Sequence, residues 1–258
     1  MRFGEQFFRD KSAFAKLARY YYGYSFVGSF IRFHHFKKNI EGLQFQSALD
    51  AGCGFGEYAF YLAEKNPKAR IDAFDIDKKQ LANSAAIAKE RGCANLDFFH
   101  ADLNSFEPKK QYDFVFSIDA LEHVKNNTLA VKKLCQQTKK GSYFFVHLPA
   151  GARWKTFLPK KIFKEFARFE NEQHIGNAYS LSEFIGLVES QGMKAIKKGF
   201  TFGFFGEIAW ELDRLCQEKR LHYLRALFLP LFKAIALLDI MVCNKNGNAF
   251  FVLAQKVK

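Results

Sequence analysis

Apolar positions in this chain come in two periods, short runs that suit strands and longer stretches with helical spacing. Strands are predicted for the run climbing through Ala48 and Leu49 into Asp50, for Arg70–Phe74 ending at Asp75-Ile76-Asp77, and for Leu96–His100 ending at Ala101-Asp102-Leu103. Tyr112–Ser117 and Ser142–His147 predict a fourth and a fifth, the latter stopping at Leu148-Pro149. Helical stretches separate them. One opens after Gly56 with Tyr58, Phe60, Tyr61 and Leu62, one covers Lys78–Arg91 and is stopped by Gly92, and one runs from the Asp119–Val124 segment to about Lys139. Strands separated by helices need crossover connections, so the pattern predicts an α/β fold with a mostly parallel sheet.

After Pro149 the alternation lapses. Residues 150–180 are rich in Lys and Arg with little strand character, and a helix over Glu183–Ser190 follows, capped by Ser180 or Ser182. Met193–Thr201 predicts a sixth strand, residues 205–243 two amphipathic or apolar helices, and Asn248–Lys256 a final strand. Ahead of the sheet, residues 1–46 are aromatic and basic, and the spacing of Phe26, Phe30 and Phe33 predicts one or two helices serving as a lid or packing on the domain edge. No stretch is polar and flexible enough to separate two cores. The organisation expected is one domain: a helical N-terminal lid (1–46), a core (47–149), a cap (150–247) and a final strand (248–258).

The most specific stretch is Asp50-Ala51-Gly52-Cys53-Gly54-Phe55-Gly56-Glu57, a strand, a glycine-rich turn and a helix start. Glycine lets backbone approach a nucleoside-type ligand at the carboxyl end of the first strand. A dinucleotide fingerprint wants its third glycine where Glu57 stands, which speaks against a nicotinamide oxidoreductase. Asp50-x-Gly52-x-Gly54-x-Gly56 instead resembles the first motif of class I S-adenosylmethionine-dependent methyltransferases. That resemblance implies a doubly wound, Rossmann-like, seven-stranded sheet whose last strand is antiparallel.

It also implies a cofactor site. Asp75, at the end of the second strand, is positioned to accept both ribose hydroxyls, as acidic residues there do in nucleotide folds. By resemblance Asp102 accepts from the adenine amine, the Leu103 N–H donates to the ring, and Ile76 packs on its face. The methionine end falls to backbone around Gly52 and Gly54, with Asp50 and the carbonyl near Ser117 or Ile118 as acceptors for its ammonium. Asp77 and Asp119 have helix capping as an alternative. The product would be S-adenosylhomocysteine.

Asp119-Ala120-Leu121-Glu122-His123-Val124 is similar to the segment after strand four in enzymes of this family that methylate small molecules. His123 is the first candidate base, because imidazole titrates near neutrality, with His147 and His174 as second choices. Segments of the Asn/Asp-Pro-Pro-aromatic type that methylate planar amines are absent, and no cysteine follows a proline as pyrimidine C5 chemistry commonly requires.

Composition adds two biases, 32 Phe and a formal net charge of +13. The charge favours an anionic partner, and nucleic acid is disfavoured by the absence of its motifs. The five cysteines show no C-x-x-C pair or zinc spacing, so reduced structural thiols and no metal are expected. The charged N-terminus predicts no signal peptide. Leu224–Cys243 is interrupted by Arg225, Pro230, Lys233 and Asp239 and is not read as a span. The expectation is a cytoplasmic methyltransferase acting at oxygen or carbon of a small or lipid-like acceptor. Peripheral contact with the inner face of an anionic membrane is a further expectation, drawn from the apolar helix and the charge. An RNA or protein methyltransferase and a non-catalytic cofactor-binding module are the alternatives.

Overall fold

The structure, a computed structural model, describes residues 26–107, 110–152 and 156–257. Expectations for residues 1–25 and for Arg153 and Trp154 lie outside them. Period-2 burial builds the sheet. In β4 (Tyr112–Ile118) Phe114 and Phe116 face one side and Val115 the other; in β5 (Thr138–Pro149) Phe145 alternates with Phe144 and Val146. With β1 (Ser47–Ala51), β2 (Arg70–Asp75), β3 (Leu96–His100), β6 (Met193–Thr201) and β7 (Ala249–Lys256) these form one seven-stranded sheet, order β3-β2-β1-β4-β5-β7-β6. Strands β1 to β5 pair in parallel, and β7 runs antiparallel between β5 and β6. This is the sheet that the resemblance implied.

Helices cover both faces, as crossovers on a twisted parallel sheet require. On one side α1 (Val27–Ile40), α2 (Glu57–Lys65) and α3 (Lys78–Arg91) seat Phe36, Phe60 and Leu81; on the other α4 (Asn127–Gln137) and α6 (Leu181–Glu189) seat Leu134 and Phe184. Much of the Phe bias is core. Phe36 of α1 lies 5.2 Å from the Phe116 ring and 5.3 Å from that of Phe145. Local signals set the helix ends: Asp77 caps α3 by accepting from the N–H groups of Lys79 and Gln80, Gly92 ends it at φ 72°, and Ser180 with Glu183 forms a capping box on α6.

Some boundaries differ from the sequence expectation. The segment after β4 does not enter a helix at once; it makes a 3₁₀ turn at Leu121–His123, and α4 begins only at Asn127, where the Asn126 side chain accepts from the Leu129 N–H. Residues 160–173, expected to have little strand character, hold a 3₁₀ turn and α5 (Lys164–Gln173). The two helices between β6 and β7 are α7 (Phe204–Glu218) and α8 (His222–Met241). They pack with the start of α1 in a separate apolar cluster of Val27, Phe30, Ala209, Leu229 and Phe232. So α1 touches both the sheet and the α7–α8 hairpin, and roofs the carboxyl edge between them.

Candidate active site

The carboxyl ends of β1 to β4 converge on the glycine turn, whose three glycines do different work. Gly52 sits at φ 80° and a Cβ there would lie 2.5 Å from the Ala120 Cβ; Gly56 sits at φ 75° and a Cβ there would meet the Phe98 ring at 2.7 Å. Both are glycine because the protein itself fills the space. Gly54 differs: at φ 52° a Cβ there meets only Gln80 Oε1, at 3.9 Å, so this position alone leaves backbone open to a ligand. Its N–H donates to Asp75 Oδ2 at 2.8 Å, and the other Asp75 oxygen accepts from the Asp77 N–H at 3.0 Å.

Asp75 and Asp102 lie on the same edge as that turn. The Asp75 carbonyl accepts from the Ala101 N–H, and Leu103 reaches back with Cδ1 3.3 Å from the Cβ position of Gly52. Asp102 Oδ1 accepts from the backbone and side-chain N–H groups of Asn104 at 2.8 and 3.0 Å. Ile76 is 62% exposed directly after β2, an apolar surface at the place where a base ring would need one. Asp50 lies under the turn, 1% exposed; burial first, then the charge of Asp75, push its carboxyl well above the usual range. Ser117 is fully buried, its Oγ donating to the Ala51 carbonyl at 2.8 Å, and Ile118 packs in the core beside it. A nucleoside with a flat base, polar at its edge, and a diol fits this edge. A pyrophosphate fits it poorly, because α2 opens on the carboxylate of Glu57.

Next to the glycine turn lies a cavity of about 380 Å³, roofed by α1 and α7. Asp119, Glu122, His123 and His174 line it, with Phe166, Phe202 and Trp210 as aromatic wall and Arg32 as a cation. Asp119 does not cap a helix. It adopts φ 47°, accepts from Arg32 Nη1 at 2.7 Å and lies 2.5 Å from His147 Nδ1. Burial works to raise its carboxyl, but Arg32 and His147 together hold it down at about 2. For Arg32 desolvation opposes the charge, and Asp119 with its neighbours outweighs it, so the guanidinium stays protonated.

Glu122 is the contrasting carboxyl. It is 8% exposed, its Oε2 has no hydrogen-bond partner among the described residues, and burial, then the charge of Asp119, push it well above the glutamate range. His123 and His174 bring their rings to 5.2 Å, and one donor atom each from Glu122, His123 and His174 lie within 4.8 Å of one another. His123 Nδ1 bonds the Gln173 carbonyl at 3.0 Å, which makes that nitrogen the N–H and leaves Nε2 as the acceptor. Burial, then His123, lower His174.

His147 was a second choice of base from sequence. It is 1% exposed, engaged on one side by Asp119 and on the other by Thr201 Oγ1 at 2.8 Å, and it does not line the cavity. Arg32, Glu122 and Trp210 line the cavity without having been candidates from sequence. For Glu122 a signal existed in the Glu-His dipeptide; for Arg32, in a helix that also carries His34, His35, Lys37 and Lys38, and for Trp210, nothing local points to the cavity.

Comparison with known proteins agrees with this geometry. The family described as "Methyltransferase domain" matches residues 46–201. A probable (S)-tetrahydroprotoberberine N-methyltransferase of Papaver bracteatum is 34% identical over 101 residues, 39% of this chain and 28% of that protein. Trans-aconitate 2-methyltransferase of Mycobacterium marinum is 30% identical over 117 residues, 45% of this chain and 42% of that one. The matches thus span less than half of these relatives. Among solved structures, coclaurine N-methyltransferase bound to N-methylheliamine and S-adenosylhomocysteine superposes with TM-score 0.61 at 20% identity, covering 88% of this chain and 72% of that one. Phosphoethanolamine N-methyltransferase 2 of Haemonchus contortus reaches 0.65 at 18% identity, over 98% and 60%. With the family match covering most of the sheet and the neighbours sharing its topology, the chain belongs to the class I S-adenosylmethionine-dependent methyltransferases.

Proposed function

We propose that this protein transfers a methyl group from S-adenosylmethionine to a nitrogen of a small amine bound in the cavity under α1 and α7. The observation that carries the reading is the packing of Ala120 on Gly52, which sets the segment bearing Asp119 and Glu122 directly against the glycine turn. Asp75 would hold the ribose diol, Asp102 and the Leu103 N–H the adenine edge, Ile76 its face, and backbone at Gly54 with the carbonyls near Ser117 and Ile118 the methionine end. Asp50, buried beneath that end, offers it a carboxyl oxygen as acceptor. Bound there, the cofactor supplies an activated methyl on a sulfonium. The protein's own tasks are alignment, exclusion of water and removal of one proton from the acceptor.

Glu122 fits that last task, because a desolvated carboxylate with an unsatisfied oxygen and a raised pKa takes a proton readily. His123 and His174 pass it outward. Glu122, His123 and His174 each bring one ligand-type atom within 4.8 Å of the others. Oxygen or carbon was expected from sequence; the carboxylates and aromatic wall, and relatives named for N-methylation, support nitrogen instead. A transfer assay with radiolabelled cofactor over matched amine, phenol and carboxylate panels tests this. Methylated nitrogen is expected. Transfer only to oxygen or carbon would overturn the acceptor assignment, and failure to bind S-adenosylhomocysteine the whole reading.

A further inference from the structure

Adjacent antiparallel strands need only a tight turn, yet residues 202–248 are inserted between β6 and β7, whose ends pair at Thr201 and Ala249. The insertion is the α7–α8 hairpin, and α8 has its charges on the inside. Arg225 pairs with Asp213 at 2.6 Å, Asp239 is fully buried and accepts from the Gly206 N–H at 3.1 Å, and Lys233 lies over the Phe30 ring at 5.5 Å. The outward face carries Leu224, Leu227, Phe228, Leu231, Leu238 and Met241, recurring at three-, four- and seven-residue intervals along one stripe. Leu227 is 70%, Leu231 54% and Met241 76% exposed, so these side chains are not seated on a neighbour among the described residues. From Tyr223 to Val242 no exposed side chain of the helix carries a charge. A helix facing water normally shows the opposite arrangement, and a continuous apolar surface of this kind marks contact with an apolar phase.

The rim of the stripe identifies that phase. Lys219, Arg220 and His222 stand exposed at the start of α8 and Lys245 just beyond its end, while Lys38 of α1 reaches the Ile240 carbonyl with Nζ at 2.6 Å. A second copy seated across a two-fold axis would bring these like-charged ends together. Anionic lipid headgroups complement them, as they complement the net charge of +13. No described helix is long and apolar enough to cross a membrane, and the inward charges of α8 are held by the protein, which suits a helix lying in the plane of the interface.

We propose that α8 is an interfacial helix that docks the protein, outward face first, on an anionic bilayer surface. Its hairpin partner α7 lines the cavity with Trp210, so the cavity stands one helix away from the headgroup layer. The test is flotation of the full chain with vesicles of phosphatidylcholine plus phosphatidylglycerol, against phosphatidylcholine alone. Co-flotation with the anionic vesicles is expected, falling about tenfold without phosphatidylglycerol and about tenfold in a Leu227→Glu/Leu231→Glu double variant. Met241→Asn is a second, milder variant, and an unchanged thermal transition shows that either is folded. Flotation that is absent, or unaffected by both variants, overturns the proposal. So does light scattering that finds a dimer which the same substitutions dissociate, since a second copy would then cover the face.

Discussion

His147 Nδ1 lies 2.5 Å from Asp119 Oδ1, and the other oxygen of that carboxylate receives Arg32 Nη1 at 2.7 Å. One carboxylate therefore joins β5, the end of β4 and α1. With its second nitrogen on Thr201, the His147 ring has no lone pair to offer an acceptor, and its role is to orient Asp119. The unusual φ of Asp119 is held by this pair of partners. The roof helix is thus pinned to the sheet edge where the cavity begins.

Asp119 should be visible in acid stability. A carboxyl held at about 2, against an ordinary 3.8, contributes roughly 2 kcal/mol above pH about 4, and that contribution disappears as pH falls toward 2. Asp119→Asn is expected to lower the melting temperature at neutral pH and to flatten the loss between pH 4 and 2. Thermal melts across pH check this; parallel losses in both proteins over that window would remove the linkage.

Glu122 should separate stability from rate. Its folded pKa is raised, so the stability it contributes is present while the carboxyl is neutral and is lost as pH rises through the folded value. Glu122→Gln is expected to melt no lower than wild type at pH 8 while kcat falls about 100-fold. The rise of rate with pH, centred above the glutamate range, should vanish with it. A variant that loses stability and activity together would show that Glu122 is structural.

The glycines make opposite predictions. Gly52→Ala must displace Ala120 and adopt positive φ, so a loss of about 3 kcal/mol or more in stability is expected. Gly54→Ala shares the positive φ but meets no close atom, so it should cost about 1 kcal/mol in stability, yet weaken S-adenosylhomocysteine binding. Denaturant melts and calorimetry on both variants test the contrast, and intact affinity in Gly54→Ala would move the ligand off this turn.

Asp75 carries the ribose assignment. Asp75→Ala should weaken S-adenosylhomocysteine by about 1.5 to 3 kcal/mol, the scale of hydrogen bonds to a charged group. Because Asp75 also accepts from Gly54 and Asp77, Asp75→Asn, which keeps one acceptor, is expected to fall between Ala and wild type. Calorimetric affinity equal to wild type in Asp75→Ala would assign the residue to the loop alone.

Period-2 runs such as Phe114–Phe116, the glycine turn at 52–56 and the stop at Gly92 were legible along the chain, because alternation, positive φ and capping are properties of a few adjacent residues. From them the strands and crossovers, and with the resemblance the sheet, could be read before any contact was known. What neighbours in sequence cannot encode is which groups meet through space. Packing buried His147 between Asp119 and Thr201, Arg32 reached Asp119 from α1, and Glu122 was taken out of solvent. The same holds for α8: Arg225, Lys233 and Asp239 read along the chain as interruptions of an apolar run, and only the packing of α1 and α7 turns all three inward and leaves the apolar stripe outside. Solvation and charge pairing act over distances of ångströms, not of sequence positions, and so they are decided when the chain closes on itself.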